Sequence, residues 1–317
     1  MKNQQNASAS HKIDVYQDVT DRIVQCLESG TRPWIKPWVS GLPQNAVSGR
    51  YYTGINVLLL MIASEEKGYQ STKWLTAKAA NKLGGKIKKG EKATRIINYS
   101  PIEREKKDDN GDLILDSEGN PEMEKFAIIR AYPLFNIEQC EGLPEEMYLE
   151  KEMPSEFQKV NEVHQILEGM GVAVKHTAGD EAYYRPSTDS INMPLMKTFC
   201  TERSYYSVLL HEMIHATGHK DRLEREGITS KKAKFGNEIY AFEELIAEMG
   251  SAFVCTALGF DTISNNASYI DSWIKVLKSD KKAIFRASGE ARKAAEYLFE
   301  IRDTMRLYEQ YEQYDAA

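Results

Sequence analysis

Tyr205-Tyr206-Ser207-Val208-Leu209-Leu210-His211-Glu212-Met213-Ile214-His215-Ala216-Thr217-Gly218-His219 decides how this chain is read. It contains His211-Glu212-x-x-His215. Residues four apart share one face of a helix, so both imidazoles can reach one metal ion. Glu212 follows the first histidine, where its carboxylate can take a proton from a metal-bound water. Val208-Leu209-Leu210 predicts a buried helix over about 204–217, and Gly218 stands where it should stop. Two histidines and an acid would be costly to bury as plain core residues.

Zinc needs a third protein ligand and one open position. Glu244 and Glu248 lie four apart in Tyr240-Ala241-Phe242-Glu243-Glu244-Leu245-Ile246-Ala247-Glu248, on a predicted helix over 237–258 rich in apolar residues. Carboxylates facing a core call for a cation. Glu244 is therefore assigned to the metal. Glu248 is assigned to holding the free ring nitrogen of a ligand histidine. These two roles could be exchanged, and Glu243 is a further candidate. Asp221 is the rival third ligand, because His215-x-x-Gly218-x-x-Asp221 has the spacing of a zincin class that turns at the glycine. His219 and Tyr184 are candidate donors to an oxyanion, and the segment 183–193 is a candidate edge strand for a peptide.

The 317-residue chain as a whole is of ordinary soluble composition, with 42% hydrophobic residues, 28% charged residues and a net charge of −6. That balance argues neither for a wholly basic nucleic-acid binder nor for a duplex mimic. Cys26, Cys140, Cys200 and Cys255 form no CxxC pair, which fits free thiols in a reducing bacterial cytoplasm. No apolar run approaches the ~20 residues of a membrane span. Residues 1–10 read as a disordered tail without an apolar signal core.

In chain order, helical spacing covers 12–28 and Gly30 ends it. The stretch from Thr31 to Trp38 is too proline-rich for a helix. Trp34 and Trp38, flanked by Arg32 and Lys36, could stack bases or could pack beneath a loop. Helices over 57–63 and 76–83 follow, then strands over 94–99 and 126–135 separated by an acidic, turn-rich extension at 103–124. Between Ser71 and Arg95 stand eight basic residues and one acid, Glu91. A charged boundary with Pro144 and Pro154 precedes a helix over 157–170, a strand at 172–174, two short strands within 183–194, and helices over 267–277 and 280–308. The expected fold class is α+β in two domains. Residues 1–150 form a helix-plus-small-sheet domain, and residues 151–317 a zincin-like domain.

The ordered motifs resemble those of ArdC-type antirestriction proteins of conjugative plasmids and related mobile elements. In the first half the resemblance rests on Pro33-Trp34-x-x-Pro37-Trp38, Gly49-Arg50-x-Tyr52-x-Gly54-Ile55-Asn56, Trp74-x-Thr76, Leu83-Gly84-Gly85 and Phe135-Asn136-x-x-Gln139. In the second it rests on Asp189-x-Ile191-x-Met193-Pro194, His211-Glu212-x-x-His215-x-Thr217-Gly218-His219, Arg222-Leu223, Tyr240-Ala241-x-Glu243-Glu244 and Tyr269-Ile270-x-x-Trp273. It implies an N-terminal single-stranded-DNA-binding domain, a C-terminal zincin-like metallopeptidase domain with one zinc ion, and protection of incoming DNA from restriction. The residues agree, since single strands bind by stacking on rings and by cations along the backbone. Trp34, Trp38, Tyr51, Tyr52 and Trp74 would supply rings. Arg50, Lys78, Lys88, Lys89 and Lys92 would supply charge, and Asn56 a hydrogen bond. Two readings stay open: a DNA-targeted zinc metallopeptidase acting on an unidentified protein, and a non-catalytic coat of single-stranded DNA with a structural zinc.

Overall fold

The computed structural model of the chain describes residues 14–35, 41–108, 110–149, 155–234, 236–260 and 269–315. Trp38 and the tail expected at 1–10 lie outside these residues. Contacts divide the chain into two units: 43–150, and a second that joins the stretch before Pro43 to 151–317. The sequence places a single cut after residue 150, whereas by contacts the stretch before Pro43 groups with 151–317. Helix α1 (Val15–Glu28) buries Val19, Ile23, Val24 and Leu27, and its partners are at the other end of the chain. Thr20 donates to the Lys281 carbonyl at 2.7 Å, and Asp14 and Glu28 pair with Lys281 and Lys278. Trp34 is fully buried and meets Trp273 edge-on, 5.8 Å between ring centroids.

In the unit 43–150, strand β1 (Gln44–Asn45) precedes helix α2 (Ile55–Lys67), which ends at Gly68 in the left-handed region, φ 72°. Strand β2 (Lys73–Leu75), helix α3 (Ala77–Lys82), strand β3 (Lys86–Ile87) and a long hairpin, β4 (Thr94–Glu105) and β5 (Met123–Asn136), follow. The sheet order is β1-β2-β5-β4, parallel at β1–β2 and otherwise antiparallel. Strand β6 (Cys140–Glu141) pairs separately with β3. The hairpin runs past the expected strands, because its register continues from Thr94↔Leu134 to Glu105↔Met123 and cross-strand pairs Arg104–Glu124 and Lys106–Glu122 support the extension. Beyond it, Asp108 and Asp116 each accept two backbone N–H groups and close successive turns.

The core of this unit corrects two expected DNA contacts, and the other unit a third. Trp74 is fully buried with Leu60, Ala63 and Leu134, so its ring offers no face to a base; the same holds for Trp34 in the other unit. Asn56 is occupied by the fold. Its side-chain amide donates to the Ile97 carbonyl at 2.7 Å and accepts from the Ile97 N–H at 2.8 Å, so one side chain stands in for a neighbouring strand at the edge of β4. The Asn136–Gln139 motif is likewise structural: Asn136 donates to the Ser71 carbonyl, and Gln139 reaches Glu91 and the Lys92 carbonyl.

The second unit continues with helix α4 (Glu156–Met170), whose Ser155–Gln158 capping box closes its first turn. Strands β7 (Ala173–Thr177), β8 (Tyr183–Arg185) and β9 (Ser190–Pro194) form a sheet of order β7-β9-β8, with β8 antiparallel to β9 at one edge. Helix α5 (Glu202–Thr217), the short α6 (Glu226–Thr229), α7 (Glu238–Leu258), α8 (Ile270–Ser279) and α9 (Ala283–Asp315) complete it. Ala283, Ala287, Ala291 and Ala294 are buried along α9, and small side chains there let it lie close on α7 and α4. Gly250 sits where α7 crosses α5. A methyl group there would stand 3.0 Å from the Ile214 side chain, so the bare backbone permits the approach.

Asn56→Ala should lower stability by roughly 1–3 kcal/mol, because it strands the Ile97 N–H and carbonyl at a sheet edge. Urea denaturation of the full chain measures this.

Candidate metal centre

Helices α5 and α7 bring the predicted ligands together. His211 Nε2 lies 3.6 Å from Glu244 Oε2, and His215 Nε2 lies 3.5 Å from Glu244 Oε1. One donor atom from each of the three falls within 4.8 Å of the others. Ligand bonds of about 2.0–2.1 Å in a tetrahedron put neighbouring donors roughly 3.3–3.4 Å apart. Two imidazole nitrogens and a carboxylate at 3.5–3.6 Å therefore fit a divalent ion with little movement.

The titration behaviour points the same way. Burial disfavours protonation of both imidazoles, yet Glu244, with Glu243, Glu248 and Glu212 around it, raises them, His215 well above the ordinary imidazole range. Burial likewise opposes ionisation of Glu244, but the two histidines hold its carboxyl far below the usual range. Such a donor set gathers positive charge at its centre.

The imidazoles are steered from behind by acids. His215 Nδ1 stands 3.2 Å from Glu243 Oε1. His211 Nδ1 stands 4.0 Å from Glu248 Oε1. The closer support thus comes from Glu243, where sequence spacing had favoured Glu248. Glu243 is itself held by Arg225, whose Nε and Nη2 donate to its two oxygens at 3.0 and 2.7 Å. The same guanidinium donates to Thr217 Oγ1 and to the Ile214 carbonyl, both at 2.7 Å, which ties it to α5. The pair is buried, and a methyl group on Gly227 would stand 2.4 Å from Glu243 Cβ, so the chain passes Glu243 as bare backbone.

Asp221 is corrected as a ligand. Its carboxylate is 72% exposed and lies 3.4 Å from His219 Nδ1, outside the triad. His219 lines a separate hollow with Asp189 and Asp221, and so is corrected as a donor at the metal triad. Tyr184 does reach the main cleft, but its hydroxyl donates to Asp189 at 2.6 Å. Asp189 adopts φ 43° and accepts both ends of the Arg222 guanidinium, while Arg222 Nε donates to the Ala216 carbonyl at 2.7 Å. This brace fastens the β8–β9 turn to the end of α5. Burial and the Asp189 carboxylate push the Tyr184 phenol well above its ordinary range.

The triad opens on a cleft of about 690 Å3 that Glu212, Tyr183, Tyr184, Phe199, Tyr240 and Tyr269 also line. Burial first, then Glu244, raises the Tyr240 phenol far above its ordinary range, so it stays a neutral donor. Sequence reasoning missed Arg225, Tyr240 and Tyr269. Tyr240 carried a usable signal, standing four residues before Glu244 on one helix face. Arg225 carried none.

In the unit 43–150, Arg50, Lys78, Lys88, Lys89 and Lys92 are exposed, as is Tyr51, while Tyr52 is half-buried against the core. Lys88 also donates to the Glu138 carbonyl at 2.7 Å. Among the described residues of the expected DNA-binding set, five cations and the ring of Tyr51 stay exposed.

The fold and the triad define a zincin-like metallopeptidase domain: residues 161–290 match the family described as zincin-like metallopeptidase. Residues 13–135 match the N-terminal domain of anti-restriction factor ArdC. The metal-free crystal structure of antirestriction ArdC protein from the R388 plasmid is 37% identical, with 92% of this chain and 99% of that chain covered and a TM-score of 0.76. Its Mn(II)-bound structure is 36% identical, covering 92% and 98%, with a TM-score of 0.72. Protein y4eC of Sinorhizobium fredii (strain NBRC 101917 / NGR234) is 33% identical over 295 residues, 90% of this chain and 91% of that protein. A DNA primase TraC of Escherichia coli is 37% identical over 294 residues, 89% of this chain, and a second is 36% identical over 303 residues, 92% of it. The matches span only 20% and 27% of those primases. The chain belongs to the ArdC family of antirestriction proteins.

Glu243→Gln should weaken divalent-metal binding about 10–100-fold, as loss of a carboxylate behind a ligand histidine does elsewhere. Competition against a chromophoric chelator measures it.

Proposed function

We propose that this chain is a DNA-targeted zinc metallopeptidase that protects an entering mobile element: the unit 43–150 binds single-stranded DNA, and the α5–α7 cleft hydrolyses a protein met there. The observation that carries the reading is the convergence of Glu212 and the His211–His215–Glu244 triad on one cleft. In this reading His211, His215 and Glu244 hold one zinc ion. When bound, the ion supplies Lewis acidity, which acidifies water and polarises a carbonyl. The chain supplies the rest. Glu212, buried among other acids, takes the proton of the attacking water and returns it to the leaving nitrogen. Glu243 and Arg225 fix the ring of His215. The neutral Tyr240 phenol, hydrogen-bonded with Glu244 and Tyr269, steadies the Glu244 carboxylate at the cleft wall. Edge strand β8 offers backbone groups to an extended peptide.

A coat of single-stranded DNA with a structural metal is the second reading, supported by the exposed cations Arg50, Lys78, Lys88, Lys89 and Lys92. Proteolysis by the full chain, with and without single-stranded DNA, separates the two. Glu212→Gln should keep its metal and lose hydrolysis by a factor of about 10²–10⁴. If Glu212→Gln protects DNA from restriction in cells as well as wild type does, coating suffices. Replacing Lys88, Lys89 and Lys92 together by Ala should weaken single-strand binding. It should also lower the slope of log affinity against log salt by about 2, at roughly 0.7 per phosphate contact, in titrations across salt concentrations.

A further inference from the structure

We propose that the cleft selects a basic, extended polypeptide segment through Asp180 and Glu181; the proposal rests on the hydrolase reading above. Six carboxylates line the cleft: Asp180, Glu181, Glu212, Glu243, Glu244 and Glu248. Among the described residues no Lys or Arg lines it. Arg225 offsets Glu243 and a divalent ion offsets two more, which leaves three negative charges. Glu212 is buried, faces into the cleft and makes no side-chain hydrogen bond to a described residue.

The backbone beside the two exposed acids is held in place. Asn192 on β9 donates to the Glu181 carbonyl at 2.9 Å and to Thr177 Oγ1 at 3.2 Å, which pins the β7–β8 loop at the lip. Arg185, the nearest cation on β8, is engaged with Tyr183: its guanidinium lies 5.2 Å from the ring centroid and donates to the hydroxyl at 2.9 Å. Lys231, Lys232 and Lys234 are exposed on the α6–α7 loop and do not line the cleft. Phe199 and Tyr240 also line the cleft. Rings accept the stems and heads of Lys and Arg, and a recessed site focuses the field of its charges. The same field repels phosphate, so DNA stays out of the cleft. Basic segments that proteins use to contact nucleic acid are the substrate class this chemistry fits.

The test uses the full-length, metal-loaded Glu212→Gln chain and two labelled extended peptides of equal length, one with lysines where the other has glutamates. The lysine peptide should bind about tenfold more tightly at low salt, and the gap should shrink as salt rises. Asp180→Lys with Glu181→Lys, both at exposed positions, should erase it. Equal affinities, a preference for glutamate, a lysine preference that survives the double substitution, or no binding of either peptide overturns the proposal. If the lysine preference holds and the wild type cuts neither peptide, the hydrolase reading alone fails. If the wild type cuts both peptides equally well, that reading stands and this one falls.

Discussion

The close crossing of α5 and α7 is the constraint on which the site depends. Two histidines on one helix and a glutamate on another can share an ion only if the helices nearly touch. Gly250 against Ile214 allows that contact. A larger residue would have to push Ile214 aside, and Ile214 lies between His211 and His215. The carbonyl of Ile214 is in turn bound by Arg225, so crossing, ligand helix and supporting acid form one connected set. The small-residue stripe on α9 is buried, and α9 packs on both α7 and α5.

Charge follows from that geometry. Bringing four glutamates and two histidines into a buried space costs desolvation energy several times over. Three devices offset it here. Arg225 neutralises Glu243, the imidazoles neutralise Glu244, and the cleft keeps Glu212 and Glu248 in contact with its opening. The raised histidines and depressed Glu244 describe the same fact from the two sides of one interaction.

Much of this was legible in the sequence because helical spacing is local. His211, Glu212 and His215 needed only the period of a helix, and the acids of α7 needed only an apolar neighbourhood. The limits appear where partners are distant in sequence. Trp34 and Trp74 read as stacking rings beside cations, and both are core, because whether a tryptophan faces solvent depends on what folds over it. Asn56 read as a base contact and instead closes a sheet edge 41 residues away. The spacing to Asp221 was suggestive, but the turn after Gly218 directs that carboxylate to His219 and solvent. Arg225 was invisible for the same reason: a buried cation is recognised by its partner, and Glu243 is on another helix. Helix α1 shows the rule at the scale of a domain, since its apolar stripe was plain and its partner at the far end of the chain was not.

The Arg225–Glu243 pair has a consequence for how such a chain can change over generations. Losing one member of a buried ion pair costs about 3–5 kcal/mol, whereas replacing both by apolar residues of like volume can be nearly neutral for stability. Each single step therefore crosses a valley that the double step avoids. Glu243 also aims the ring of His215, so the apolar double replacement keeps the fold and surrenders that aim. Descendants that keep Arg225 and Glu243 together retain the orientation of His215. Descendants that lose both keep a sound scaffold free to serve as a binding module, and the two residues will be inherited or discarded as a unit.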